Sequence, residues 1–248
     1  MRYLMKIAYD GTDYYGWQRQ INRPTVEATI EKYLSQILDQ KTIIYGAGRT
    51  DAGVHAYGQC AHFDSDKEIN PDILRHGLNS LLPKSIHIIS LIVVPETFHA
   101  RHSASGKHYR YQINLQDENP FERFYSYTIR STSLDIDRLK AGAELFVGDH
   151  YFFNYTVRKE DERNFHRFVK DIKINAENEK LTLDFFADGF MQYQVRMMVG
   201  TLIALAQGKI ELKDIINSLQ EGSSLSNFIQ STGSRIGFSG GFLWKISN

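Results

Sequence analysis

The chain has one cysteine, Cys60, which excludes an intramolecular disulfide and a cysteine-based zinc site. It has no excess charge of either sign, because 29 Lys and Arg stand against 29 Asp and Glu. Nonspecific nucleic-acid binders are usually basic, so any contact with a polyanion must come from local clustering. No apolar run is long enough to cross a membrane, and the opening residues MRYLMKIAYDG read as a strand rather than a signal peptide. With no export signal, the expected location is the cytoplasm. Low-complexity segments and short repeats are missing. Two phosphate-cradling motifs are missing as well, the G-x-x-x-x-G-K-S/T loop and the G-x-G-x-x-G fingerprint. What is present is an ordinary globular composition, 42% hydrophobic and 23% charged over 248 residues. That length buries a substantial core, as one large domain or two joined halves.

Hydrophobic spacing divides the chain into two similar runs. Tyr3–Tyr9 alternates as a strand, and Thr25–Leu38 has Val26, Ile30, Leu34 and Leu38 at helical spacing behind Pro24. Thr42–Tyr45 and Gly58–Phe63 read as strands, Pro71–Leu82 as a helix capped by Asn70, and Ile86–Val94 as a strand. The second run predicts strands at His108–Leu115 and Tyr125–Ile129 and a helix at Asp135–Phe146. A hairpin of Phe168–Asn175 with Leu181–Ala187 follows, then an apolar helix at Phe190–Gln207, a shorter one near Leu212–Leu219 and a last strand at Gly241–Ile246. Two β-α-β-β-α-β units, 1–105 and 106–248, predict an α+β fold. Its two ferredoxin-like halves would join their antiparallel sheets into one central sheet with helices on one face, leaving a cleft between the halves.

Between two strands of the first unit lies Gly46-Ala47-Gly48-Arg49-Thr50-Asp51-Ala52-Gly53-Val54-His55-Ala56. It is too polar for a strand and too rich in glycine for a helix, so it reads as a tight ordered loop around one acid, Asp51. Taken alone, Asp51 reads first as a turn former bonding its own backbone. Arg196 lies in the apolar helix, with Val199, Gly200 and Ile203 on its face. A buried arginine needs an anion, unless its stem carries the charge out to water. Asp51 is the candidate partner. Tyr109 and Tyr111 share one face of a strand and Arg110 points to the other, which suits either two core tyrosines or a base-stacking surface. Arg101, His102, Lys107, His108 and Arg110 form one basic cluster, and Arg158, Lys159, Arg163, His166 and Arg167 form another. The second reads equally as a solvated loop. His99, His102 and His108 mix loop and strand without an acid, a poor metal-ligand pattern.

Together these segments resemble the TruA family of tRNA pseudouridine synthases. KIAYDGTDYYGWQRQ is similar to the family's opening strand and loop, and GAGRTDAGVHA with GQCAHFD to its signature loop and following strand. FHARHSASGKHYRYQI resembles its tyrosine strand, GDHYFFNY its short motif in the second half, and FMQYQVRMMVGTL its arginine helix. The resemblance implies an isomerase that flips a uridine out of tRNA, at positions 38 to 40 of the anticodon stem-loop, and converts it to pseudouridine. Asp51 then matches the catalytic nucleophile, acting at the sugar C1′ or through a glycal route. Tyr109 matches the tyrosine that stacks on the base and helps move the C5 proton, and Arg196 matches the arginine that pairs with Asp51. Arg49 matches the loop arginine that fills the space of the flipped nucleotide, and Thr50, His55 and Arg110 are placed as further substrate contacts. The resemblance also implies a homodimer and no cofactor or metal. One departure is clear: the family's Ala-Pro-x-x-Gly-Leu-like segment is replaced by Ile236-Gly237-Phe238-Ser239-Gly240-Gly241-Phe242-Leu243, without the proline. Three other functions fit the same residues: a noncatalytic RNA-binding protein on this scaffold, a pseudouridine synthase for another RNA site, and a nucleoside glycosidase.

Overall fold

A computed structural model of the chain describes residues 1–129, 134–157, 164–222, 229 and 241–247. In chain order the elements begin β1 (Arg2–Tyr9), α1 (Val26–Leu38), β2 (Tyr45–Gly46), β3 (His55–Asp64), α2 (Pro71–Leu81) and β4 (Ile86–Val94). They continue β5 (Gly106–Asn114), β6 (Tyr127–Thr128), α3 (Ile136–Glu144), β7 (Gly148–Tyr151), a 3₁₀ turn Phe153–Tyr155, β8 (His166–Glu177) and β9 (Lys180–Ala187). α4 (Gln194–Ala206), α5 (Leu212–Ser218) and β10 (Gly241–Ser247) complete the order, so the fold is α+β. The chain forms two compact units, Met1–Ser105 with Phe242–Asn248, and Gly106–Gly241. The final strand returns to the first unit because β10 pairs in parallel with the start of β3, Phe242 opposite His55 and Leu243 opposite Ala56.

In the first unit β1 lies between β3 and β4, antiparallel to both. Its residues alternate strictly, with Tyr3, Met5, Ile7 and Tyr9 buried, as a strand with one covered face requires. The other edge of β3 is shared by β10 at one end and β2 at the other, where Tyr45 faces His62. Thr25 caps α1 by accepting the Ala28 N–H, and Asn70 caps α2 by accepting from Asp72 and Ile73 ahead of a proline in the first turn. The buried carboxylates of α1 are satisfied. Glu27 accepts from Gln18 and the Arg19 backbone at 2.8 Å each, and Glu31 accepts from Arg19 at 2.6 Å and the Ile44 N–H at 3.1 Å. These bonds tie the segment after β1 and the residue leading into β2 to one helix.

The second unit has an antiparallel sheet in the order β5-β9-β8-β7, with β6 parallel beside β5. β8 and β9 are joined by Asn178 and Glu179, both with positive φ (50° and 61°), as a two-residue hairpin turn demands. α3, capped by Asp135, packs on α4, and Gly142 is the contact point: a Cβ there would run into Leu205 Cδ2. Phe146, Phe152, Tyr155, Phe185, Met198 and Leu202 are fully buried in this core. The helix expected from Phe190 begins at Gln194. Tyr193 stands in the left-handed region at φ 63°, and Gln194 Oε1 turns back to accept the Met191 N–H at 2.9 Å. The chain therefore turns before it coils, although every residue from Phe190 onward suits a helix.

Candidate active site

In the first unit, the loop between β2 and β3 is fixed from several directions. The Val54 N–H bonds the Asp51 carbonyl at 3.2 Å, closing a four-residue turn in which Gly53 takes φ +75°. Thr50, just before the acid, is held twice: its carbonyl accepts the Trp17 N–H at 3.1 Å and its hydroxyl lies 2.7 Å from the Tyr9 hydroxyl. Beyond the acid, the Gly53 N–H bonds the Tyr14 carbonyl at 3.2 Å. Gln59, fully buried, donates from Nε2 to the Gly48 carbonyl at 2.9 Å. Tyr14 and Trp17 come from the segment after β1, Tyr9 ends β1 and Gln59 lies in β3. The segment after β1 comes so close that a Cβ on Gly11 would strike the Val54 carbonyl, and one on Gly16 would stand 2.5 Å from the Thr50 carbonyl oxygen.

The loop expected to run to Ala56 ends at Val54, because His55 and Ala56 already pair in β3, and the polar side chains of the loop and of His55 divide by burial. Arg49 is exposed, Thr50 and His55 are buried, and Asp51 is half-buried. His55 Nδ1 accepts the Gly11 N–H at 3.2 Å and lies 3.0 Å from Asp10 Oδ1, so this ring fastens the end of the loop to the end of β1. Asp10, Tyr9, Trp17 and Gln59 join the site only through these long-range bonds. Gly11 and Gly16, spaced across the turn that ends β1, were the only local sign that another backbone approaches there.

In the second unit, β5 presents Tyr109 half-buried and edge-on to Phe190, with ring centroids 5.5 Å apart. Tyr111, on the same face, is 4% exposed and belongs to the core; burial pushes its phenol pKa up, and the nearby Arg196 charge opposes that shift. Arg110 points to the other face and forks onto Asp184, Nε to Oδ1 at 2.7 Å and Nη2 to Oδ2 at 3.0 Å, beside His108 Nε2 at 2.6 Å from Oδ1. Burial works against ionising Asp184, but the bonds and charges of His108 and Arg110 outweigh it and hold the carboxyl below its ordinary pKa. Arg196 stands in the first turn of α4, half-buried, with its guanidinium 5.7 Å from the centre of the Tyr193 ring. Val199, Gly200 and Ile203 on its helix face are buried, so the arginine is rooted in the core.

Of the other expected groups, Arg101 and His102 are exposed and Lys107 is half-buried. His99 packs between His62 and His102, at 4.6 and 4.4 Å between centroids. Among the described residues no group of three or more His, Cys, Asp or Glu side chains is arranged to hold a metal ion. His166 lies 3.4 Å from Asp149, and Arg167 donates to the carbonyls of Asn164 and His166. Arg158, Lys159 and Arg163, and Ile236–Gly240 of the segment lacking the proline, lie outside the described residues.

A half-buried carboxylate followed directly by Ala52 and Gly53 is a group that can take part in nucleophilic or acid–base chemistry. A family described as tRNA pseudouridine synthase matches residues 5–103 and 143–231. The tRNA pseudouridine synthase A of Citrifermentans bemidjiense is 39% identical over 222 residues, covering 89% of this chain and 88% of the relative. That of Levilactobacillus brevis is 36% identical over 221 residues, covering 87% and 83%. That of Thermodesulfovibrio yellowstonii is 38% identical over 231 residues, covering 88% and 90%.

Proposed function

The chain belongs to the tRNA pseudouridine synthase family, and we propose that it converts uridines 38 to 40 of the tRNA anticodon stem-loop to pseudouridine with Asp51 as the nucleophile. The observation that carries this is the anchoring of Asp51 in a turn fastened at Thr50 and Gly53, since a nucleophile gains most from being held where the reacting atom arrives. The reaction is an isomerisation: the C1′–N1 bond breaks, the freed uracil turns, C5 bonds C1′, and the C5 proton leaves while N1 gains one. Asp51 acts at C1′ or through a glycal, and no cofactor or metal enters either route.

Arg196 is proposed to hold Asp51 ionised as its ion-pair partner. A cation in the first turn of a helix works against the helix dipole, which supports a role in meeting an anion. Tyr109 stacks on the target uracil and takes part in the C5 proton transfer, with Phe190 fixing its ring edge-on. Arg49, exposed on the loop, takes the place of the flipped nucleotide. Thr50 and His55 contribute by shaping the loop around the ribose, and Arg110, forked onto Asp184, is placed as a contact to the RNA. Each unit is proposed to be a ferredoxin-like half. Two features support it: the β4-β1-β3-β2 order of the first unit and the β5-β9-β8 antiparallel core of the second. The active form is proposed to be a cytoplasmic homodimer.

The test is to incubate the protein, Asp51→Asn and Asp51→Ala with unmodified tRNA transcripts and map pseudouridine by carbodiimide-dependent reverse-transcription stops. The native protein should give stops at positions 38 to 40 and neither variant any. Modification surviving in Asp51→Ala overturns the assignment.

A further inference from the structure

We propose that Tyr9 is a positioning residue for the reaction, its hydroxyl fixing Asp51 through the Thr50 side chain and completing a buried chain of Gln59, Tyr9 and Thr50. The inference rests on the assignment of Asp51 as nucleophile. Tyr9 ends β1 and is 4% exposed, with its ring 6.1 Å from that of Trp17. Its hydroxyl lies 2.7 Å from Thr50 Oγ1 and also interacts with Gln59. Gln59 Oε1 is engaged by the Cys60 N–H at 3.2 Å, and one Nε2 hydrogen goes to the Gly48 carbonyl. The Tyr9 and Thr50 hydroxyls share one buried hydrogen bond in which either oxygen can donate.

The arrangement determines where Asp51 can be. The Thr50 carbonyl is fixed by Trp17 and its side chain by Tyr9, so the peptide entering Asp51 is held at two points. The peptide leaving Asp51 is held by the Val54-to-Asp51 turn and the Gly53-to-Tyr14 bond. Removing the Tyr9 hydroxyl frees the Thr50 side chain and leaves a buried polar atom without its partner, while the aromatic packing on Trp17 stays intact. Burial also pushes the Tyr9 phenol pKa up, so this bond does not titrate in the range where the enzyme works.

Tyr9→Phe deletes only the hydroxyl, Thr50→Val deletes only the receiving hydroxyl at similar volume, and Thr50→Ser keeps it. Single-turnover conversion of tRNA and tRNA affinity would be measured for each, with Asp51→Asn alongside and circular dichroism to confirm folding. The expected result is a roughly tenfold to hundredfold fall in the chemical rate for Tyr9→Phe and Thr50→Val, the scale of a small misplacement of a reacting group. The affinity for tRNA should stay within about twofold and Thr50→Ser near native, and the double variant should be no slower than either single one. A native rate in Tyr9→Phe with inactive Asp51→Asn overturns the positioning role alone. So does a loss of tRNA affinity that matches the loss of rate, which marks a merely structural role. An active Asp51→Asn overturns the nucleophile assignment and the positioning role with it.

Discussion

His62 should make the first unit sensitive to mild acid. Its ring is 1% exposed on β3, stacked beneath Tyr45 at 5.1 Å, with Nδ1 accepting the Ala100 N–H at 3.1 Å. Burial, reinforced by the Arg2 and His99 charges, lowers its pKa from 6.5 to about 4. Protonation at Nδ1 would also set a donor against the Ala100 N–H. In the unfolded chain the imidazole takes up its proton near pH 6.5, whereas the folded one stays neutral until about 4. The unfolded state therefore binds more protons between these values, so stability is whole above pH 6.5 and drains away as the pH falls toward 4. Integrated from pH 7 to pH 5, the loss is about 2 kcal/mol. His99 shifts in the same direction, and Glu31, raised by burial, works in the opposite sense. Both remain in a His62→Asn variant, whose amide oxygen can still accept the Ala100 N–H. Urea unfolding followed by tryptophan fluorescence reports on this unit, because Trp17 and Trp244 both belong to it. Between pH 7 and pH 5 the native protein should lose about 2 kcal/mol more than His62→Asn. Equal losses, or a His62 resonance titrating near its ordinary value, would refute the argument.

Two further substitutions probe the packing around the site. Gly16→Ala places a methyl 2.5 Å from the Thr50 carbonyl at φ +87°, and should cost roughly 1–3 kcal/mol in thermal unfolding and most of the activity. Gly189→Ala, with open space around the new carbon, should leave the unfolding temperature unchanged. Asp184→Asn leaves His108 and Arg110 facing a neutral amide and should destabilise the second unit by about 3 kcal/mol in urea unfolding. Adding Arg110→Met should restore much of it.

Local rules were legible in the chain wherever the burial was local. The strict alternation of β1 and the Asn70-Pro71 start of α2 are where the residue pattern puts them. Long-range polar bonds were not. Residues Thr42–Tyr45 look like a strand, but the Ile44 N–H is taken by Glu31 from α1, so the ladder to β3 starts only at Tyr45. Gly148–Tyr151 has too few apolar residues to stand out, yet it pairs along β8. The same limit applies at the site. Composition marked the Asp51 loop as tight, but its rigidity comes from Tyr9, Tyr14 and Trp17, about forty residues earlier. Arg110 alternates away from Tyr109 as a strand requires, while its carboxylate partner lies 74 residues further on.

The central claim is that the Asp51 carboxylate drives the chemistry, and loss of the uridine C5 hydrogen follows that chemistry directly. With tRNA carrying tritium at uridine C5, native protein in excess should release label from the sites it modifies. Asp51→Asn should bind the same tRNA with native affinity and release none. Release by Asp51→Asn at the native rate would contradict the account.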